Sequence, residues 1–416
     1  MMELNPVVDA EHLMREFEEL AGFSDAEPPA VTRVVFTETD LRARQFLKER
    51  CADAGLLVRE DALGNTFARW EGTNPALPAV GTGSHTDAIP HSGRYDGTVG
   101  VLGGLEALRA LRETGFQPTR SLELLIFTSE EPTRFGLGCL GSRALCGAAD
   151  LGALDRMVDK EGRSLEKVRT AAGFSGPLSA VTLPDSYYSA FVELHIEQGP
   201  LLERDGVPVG AVTAIAAPAA LRVRFEGTGG HAGAVLMSDR HDALCAAAEV
   251  ILAVEKSARS TGSPDTVATV GFCTVHPGAS NSIPSRVTVE IDIRDIALAP
   301  RNQVVTDVEH GVAEIAARRG LQAGFEILNA DPPATMARPI VDAVQAVCSQ
   351  LGLACERMVS RAYHDSLYMA RICPTGMIFI PCRAGVSHRP DEFASPEAIT
   401  QGVQVLALTL AKLSSD

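Results

Sequence analysis

The segment Leu122–Thr128 reads LELLIFT, an apolar run too short for a buried helix. Such a run is the mark of a strand covered on both faces, and a covered strand needs helices above and below its sheet. The flanking stretches supply them. Asp40–Ala54 has a helical pattern, with Thr39 or Asp40 placed to cap it and Gly55 to end it. Leu56–Arg59 and Thr66–Trp70 read as strands joined through a Gly64-Asn65 turn. Ala79–Ser84 is another short apolar run, and it ends in His85. Val99–Thr114 carries Leu102, Leu105, Leu108 and Leu111 at helical spacing and closes at Gly115. Strands alternating with helices predict an α/β fold, a mixed-sheet α/β sandwich.

The middle of the chain has a different grammar. Leu221, Val223 and Phe225 alternate with Arg222, Arg224 and Glu226, the pattern of a half-buried strand. His241–Lys256 and Arg301–Arg319 read as helices, Thr266–Val275 and Arg286–Arg294 as further alternating strands. Together they predict a small α+β domain. Helical spacing resumes at Ile340–Leu351, and Gly376–Ile380 is again a strand of the buried kind. A chain of 416 residues is long for one core. The expected arrangement is therefore an insertion: a catalytic domain from residues 1–211 and 329–416, interrupted by a smaller domain at 212–328.

Histidines and carboxylates recur where these strands should end. His85-Thr86-Asp87 follows one strand, Glu130-Glu131 another, and Asp96 lies in the loop Gly93-Arg94-Tyr95-Asp96-Gly97. His195 sits in ELHIEQG and His388 follows Gly385-Val386-Ser387. Strand C-termini are where α/β proteins gather ligands. Histidine with carboxylate and no cysteine suits zinc, manganese or cobalt. In His-x-Asp, the histidine can hold a metal while the aspartate orients it from behind. Of two adjacent glutamates, one can bind metal and the other serve as general base. Each pattern alone is commonplace on a protein surface or in a core; their joint placement carries the reading. Nine cysteines without a CxxC pair read as reduced, buried thiols. A net charge of −16 with no basic cluster excludes a nucleic-acid footprint. The acidic N-terminus lacks the plan of a signal peptide, and no run reaches the length of a membrane span, so a cytoplasmic protein without membrane partners is expected.

The motifs GSHTDAIPHSGRYDGTVGVLGGLEAL, ELHIEQGPLLE, GGHAG, NSIPS with DIRD, and GVSHRPDE resemble the hydantoinase/carbamoylase branch of the dinuclear aminoacylase-like metallopeptidases. Finer segments, FTSEEPTRFG, CLGSRAL, VTAIAAPA, GGHAGAVLM and SRAYHDSLYMARICPTGMIFIPC, resemble the ureidoglycolate-cleaving members of that branch, with allantoate amidohydrolases and N-carbamoyl-L-amino acid hydrolases as the alternatives. The likeness runs from about residue 40 to the end.

The resemblance implies two divalent metal ions per subunit, manganese ahead of zinc, cobalt and nickel. Asp96 would bridge them, His85 and His195 completing one site and Glu131 and His388 the other. Glu130 would be the general base, and Asp87 would steer His85. His231 of GGHAG, in the inserted lid and dimerisation domain, would stabilise the oxyanion across a homodimer interface. Asn281 and Arg294 would hold the substrate carboxylate, with Gln198, Tyr363 and His364 lining the rest of the pocket. Tyr363 stands where many relatives have glycine, and its phenol should favour a polar α-group such as a hydroxyl. The implied activity is cleavage of a ureido C–N bond in a small carboxylate, giving glyoxylate, ammonia and carbon dioxide from (S)-ureidoglycolate. A non-catalytic binding protein on the same fold is the alternative of another class.

Overall fold

The computed structural model describes residues 4–415, in two compact units. One comprises the chain up to Thr213, Met336–Ser360 and the chain from His364 onward; the other comprises Ala214–Thr335 and Arg361–Tyr363. The short return at 361–363 places Tyr363 and its neighbour His364 in different units, which the linear pattern of the sequence did not suggest.

The first unit is built on a mixed sheet whose centre is parallel. Leu122–Phe127 pairs in parallel with Ala79–His85, which pairs in parallel with Tyr188–Ile196, which pairs in parallel with Thr375–Ile380. Antiparallel strands flank this core: Thr66–Trp70 and Leu57–Glu60 on one side, Val209–Ile215 on the other. The run Leu122–Phe127 is buried at every position, as are Ala79–His85 and Thr375–Ile380. Helices Thr98–Glu113 and Pro396–Ser414 pack together over the sheet. A second apolar cluster, including Leu125, Phe127, Phe191, Leu140 and Met369, fills the opposite side. Because the central strands run the same way, their C-terminal ends share one edge. His85, the segment after Phe127, His195 and the segment after Ile380 all reach it.

Local chemistry fixes the boundaries. The helix expected from Asp40 begins at Glu38, capped by Thr37 rather than Thr39 or Asp40. Thr37 Oγ1 accepts the amide of Asp40, and the Asp40 carboxylate accepts the amide of Phe36 at 2.7 Å. This reciprocal pair satisfies two donors at the helix start, so it wins over a cap further along. Asn65, in the turn between Leu57–Glu60 and Thr66–Trp70, is buried, and its Oδ1 accepts the amide of Thr128 at 2.9 Å. A hairpin turn thereby pins the segment leading to Glu130.

The second unit has an antiparallel sheet in the order Val267–His276, Arg286–Asp295, Ala217–Glu226, Gln322–Ala330. Leu221, Val223 and Phe225 point into a core shared with helices Ala243–Ser260 and Leu298–Arg319. The strand Gln322–Ala330 escaped the sequence pattern: it is an edge strand exposed along most of its length, so its residues need not alternate.

All nine cysteines are free, but only five are buried; Cys245 and Cys273 are exposed, contrary to the expectation of buried thiols throughout. Among the described residues no helix is long and apolar enough to cross a membrane.

Arg33 ties this frame together. Its buried guanidinium donates to the carbonyls of Phe23, Leu20 and Thr86 at 3.0, 2.6 and 2.8 Å, the last lying between His85 and Asp87. Arg33→Leu should cost about 3 kcal/mol, since three buried acceptors lose their donor. A thermal melt of the variant checks this, and a melting temperature within a degree or so of wild type would contradict it.

Candidate metal centre

The four strand ends converge on Asp96. Its Oδ1 lies 3.5 Å from His85 Nε2 and 3.2 Å from His195 Nε2; its Oδ2 lies 3.2 Å from His388 Nε2. His388 Nε2 is also 3.3 Å from Glu131 Oε1. Two donor groups result, His85 with Asp96 and His195, and Asp96 with Glu131 and His388, and Asp96 is common to both. Glu130 stands alongside, its Oε2 3.8 Å from His85 Nε2. His85, His195, Asp96, Glu130 and Glu131 are buried, while the His388 side chain is 46% exposed and marks the open side.

The orientation of the rings says what belongs between these atoms. His85 Nδ1 is 3.0 Å from the carbonyl of Asp87, and His195 Nδ1 is 2.8 Å from the carbonyl of Ile196. A carbonyl accepts only, so each Nδ1 carries the proton, and a neutral ring then turns its Nε2 lone pair toward the Asp96 carboxylate. Lone pair facing carboxylate is repulsive unless a cation lies between them or the ring is protonated. Charge imbalance gives the same answer. Burial pushes Glu131 up to about 7, with the Asp96 carboxylate adding to the effect. Burial also pushes Glu130 well above the carboxylate range, aided by Glu131, Asp365 and Asp96. Burial alone would lower His85 and His195, yet the surrounding carboxylates hold both above their usual value. The hydrogen bond to Asp96 lifts His388 to about 9. The cluster is short of positive charge, and its nitrogen and oxygen donors suit divalent metal ions.

Supports hold the donors from behind. Glu392 accepts the amides of Tyr95 and Asp96 at 2.8 and 3.1 Å, and Gln198 donates to Asp96 Oδ2 at 2.6 Å. The Ser387 oxygen lies 2.7 Å from Asp96 Oδ2 and 2.8 Å from Glu392 Oε2, and its one proton serves either carboxylate. Sequence reasoning missed Glu392 and Ser387, although both stand in the GVSHRPDE motif. Asp87 meets His85 Nδ1 with its carbonyl at 3.0 Å and its carboxylate Oδ1 at 3.7 Å, and the same carboxylate accepts the amides of Glu130 and Glu131 at 3.2 and 3.0 Å. At Gly97, with φ of 65°, a β-carbon would lie 2.5 Å from His85 Nε2, so only glycine lets the Asp96 loop approach.

A family model described as peptidase family M20/M25/M40 matches residues 81–412. The chain belongs to that family. A curated relative from Oryza sativa subsp. japonica, ureidoglycolate hydrolase, is 54% identical over 98% of this chain and 85% of its own length. Solved structures of AtUAH with (S)-hydroxyglycine and with glyoxylate are 53% identical, cover 98% of both chains and superpose with a TM-score of 0.91. An allantoate amidohydrolase from Bacillus subtilis is 35% identical over 95% of each chain.

In this M20-family chain the remaining candidate residues divide between the units. His364 belongs with the first: it is buried, packs edge-on to His195 with ring centroids 4.6 Å apart, and its Nε2 meets Ser360 Oγ at 2.9 Å. Glu193, His195 and His364 form a further close group, but Glu193 already accepts the hydroxyls of Ser84 and Ser366 at 2.7 and 2.6 Å. That group reads as a brace beneath His195. His231, Asn281, Arg294 and Tyr363 lie in the second unit. The short strand at Gly230–His231 pairs with Ser282–Ile283, which brings His231 beside the Asn281 loop. His231 is exposed, and its Nδ1 accepts the amide of Gly233 at 3.1 Å, leaving Nε2–H as its donor. Arg294 is engaged by Asp292 at 2.8 and 3.2 Å and donates to the carbonyl of Arg361 at 3.0 Å. Tyr363 donates its phenol to Asp331 at 2.8 Å.

The sign of the histidine shifts gives a test. His388, lifted to about 9, is protonated near pH 7, and metal ligation requires it neutral. Metal uptake by stripped protein at pH 7 should therefore release about one proton per chain or more. Calorimetric titration in buffers of different ionisation enthalpy measures this; an enthalpy independent of the buffer would contradict it.

Proposed function

We propose that the chain is a metal-dependent amidohydrolase that cleaves the ureido C–N bond of (S)-ureidoglycolate, yielding glyoxylate, ammonia and carbon dioxide. The observation that carries the reading is the pair of donor groups sharing Asp96 with Glu130 beside them. High identity over nearly the whole chain to a relative named for ureidoglycolate hydrolysis supports the substrate.

His85, Asp96 and His195 would hold one divalent ion, and Asp96, Glu131 and His388 the other, manganese being our first choice. Such ions supply Lewis acidity and bring the pKa of coordinated water toward neutrality. Glu130 accepts the proton of the attacking water and returns it to the departing nitrogen, a task its place beside the two donor groups suits. Nε2–H of His231 is the donor for the oxyanion that develops at the ureido carbonyl. Loss of ammonia leaves a carbamate, whose breakdown gives carbon dioxide, a second ammonia and glyoxylate.

Asn281 and Arg294 would hold the substrate carboxylate; Arg294 has N–H donors beyond those given to Asp292 and Arg361. Tyr363, its proton committed to Asp331, offers its oxygen to the α-hydroxyl that distinguishes ureidoglycolate from a carbamoyl amino acid. Gln198 and His364 would complete the pocket. We assign the second unit as the lid and dimerisation domain of a cytoplasmic homodimer. Exposed Leu244, Ile251 and Leu252 on one helix, with Val267 and Phe272 on the edge strand, give it an apolar surface to bury.

The test is turnover by metal-loaded protein on (S)-ureidoglycolate, allantoate and N-carbamoyl-L-alanine. We expect kcat/KM for ureidoglycolate to lead by about 10² or more. Glu130→Gln should keep its metals and lose about 10² to 10⁴ in kcat. Preference for either competitor would overturn the substrate, and a Glu130→Gln variant that lost its metals but turned over once resupplied would overturn the roles of the two glutamates.

A further inference from the structure

The Glu130 carboxylate has one hydrogen-bond donor with no part in the reading above. Cys139 Sγ lies 3.5 Å from Glu130 Oε1, while Oε2 faces His85. A sulfur donor tolerates that length, and the thiol is wholly buried. Burial, and next the nearby Glu130 carboxylate, push the thiol well above its ordinary value, so it stays a protonated donor and not a nucleophile.

The backbone delivers this thiol deliberately. Segments 128–130 and 139–141 run side by side, with the amides of Cys139, Leu140 and Gly141 donating to the carbonyls of Glu130, Ser129 and Thr128 at 2.8, 2.9 and 2.8 Å. Cys139 itself has φ of 55°, the left-handed region where a side chain costs about 1 kcal/mol relative to glycine. Ser129, immediately before Glu130, has φ of 56°. Glycine at 139 would relieve the strain, and a strained residue beside a reactive carboxylate points to a use for its side chain. At Gly138 a β-carbon would come within 2.6 Å of the Glu130 carbonyl, so the approach of the two segments is close along its length.

We propose that Cys139 is a positioning residue for the general base: its S–H donates to Oε1 of Glu130 and holds the carboxylate with Oε2 turned toward the reacting water. Asp87 fixes the main chain of the same residue through its amide, so the base is held at both ends. A thiol suits the task because it is a weak donor: it orients the carboxylate while withdrawing less basicity than a hydroxyl would. The proposal rests on Glu130 being the proton acceptor.

The experiment compares Cys139→Gly, Cys139→Ala, Cys139→Ser and Glu130→Gln in the metal-loaded enzyme, reading kcat, KM, metal content and melting temperature. The S–H stretching band in the infrared is followed in parallel. Cys139→Gly and Cys139→Ala should lower kcat about tenfold to a hundredfold, with KM within about twofold and metal content unchanged. Cys139→Ser, which retains a donor, should recover most of the loss. The band lost in Cys139→Ala should move to higher frequency in Glu130→Gln, whose amide oxygen is the weaker acceptor. Full kcat in Cys139→Gly beside an inactive Glu130→Gln would overturn the role of Cys139 alone, as would an S–H band indifferent to Glu130→Gln. Full kcat in Glu130→Gln would overturn the base assignment, and with it any catalytic consequence of the thiol.

Discussion

Everything at the site depends on one carboxylate being surrounded by imidazoles. Asp96 meets His85, His195 and His388, each brought by a different segment of the chain. Burying a carboxylate is costly, and burying several close together is more so. Glu130, Glu131 and Asp87 crowd the same place, and burial raises all three. Protons on the histidines can balance part of this charge. Divalent ions would balance more of it, and the acceptor-bound Nδ1 atoms of His85 and His195 leave those rings oriented to hold them.

The fold is arranged to bring that balance about. A parallel centre sends four strand ends to one edge, and buried side chains fasten the loops beyond them. Glu392 fastens the Asp96 loop, Arg33 the His85 turn, and Asn65 the segment before Glu130. Positive φ angles at Ser129, Cys139, Gln198 and His388 fall in the same few loops. Backbone strain of this kind persists only where surrounding contacts over-determine the conformation. Here those contacts are long-range hydrogen bonds between side chain and main chain.

That division explains what could be read in the chain. The α/β class, the strands that deliver the site and the histidines and carboxylates at their ends were legible, because buried strands and strand-end ligands leave local patterns. The supports were not. Glu392 serves residues nearly three hundred positions away in sequence, and nothing local announces that reach. Asp87 stood in a legible His-x-Asp motif, but which of its atoms comes nearest His85 is decided by the turn, in which the carbonyl lies closer to the ring than the carboxylate, which takes the two glutamate amides. Cys139 read as one more reduced, buried thiol among nine scattered cysteines. Its contact with Glu130 comes from two segments zipped together by their backbones, a pairing that has no side-chain periodicity.

The central claim is that Asp96 serves two metal positions at once. Metal content after reconstitution and desalting tests it most directly, in wild type, His195→Ala, His388→Ala and Asp96→Ala. The account predicts about two ions per chain in wild type, about one in each histidine variant, and close to none in Asp96→Ala. An Asp96→Ala protein that retained both ions, or histidine variants that each lost both, would contradict it.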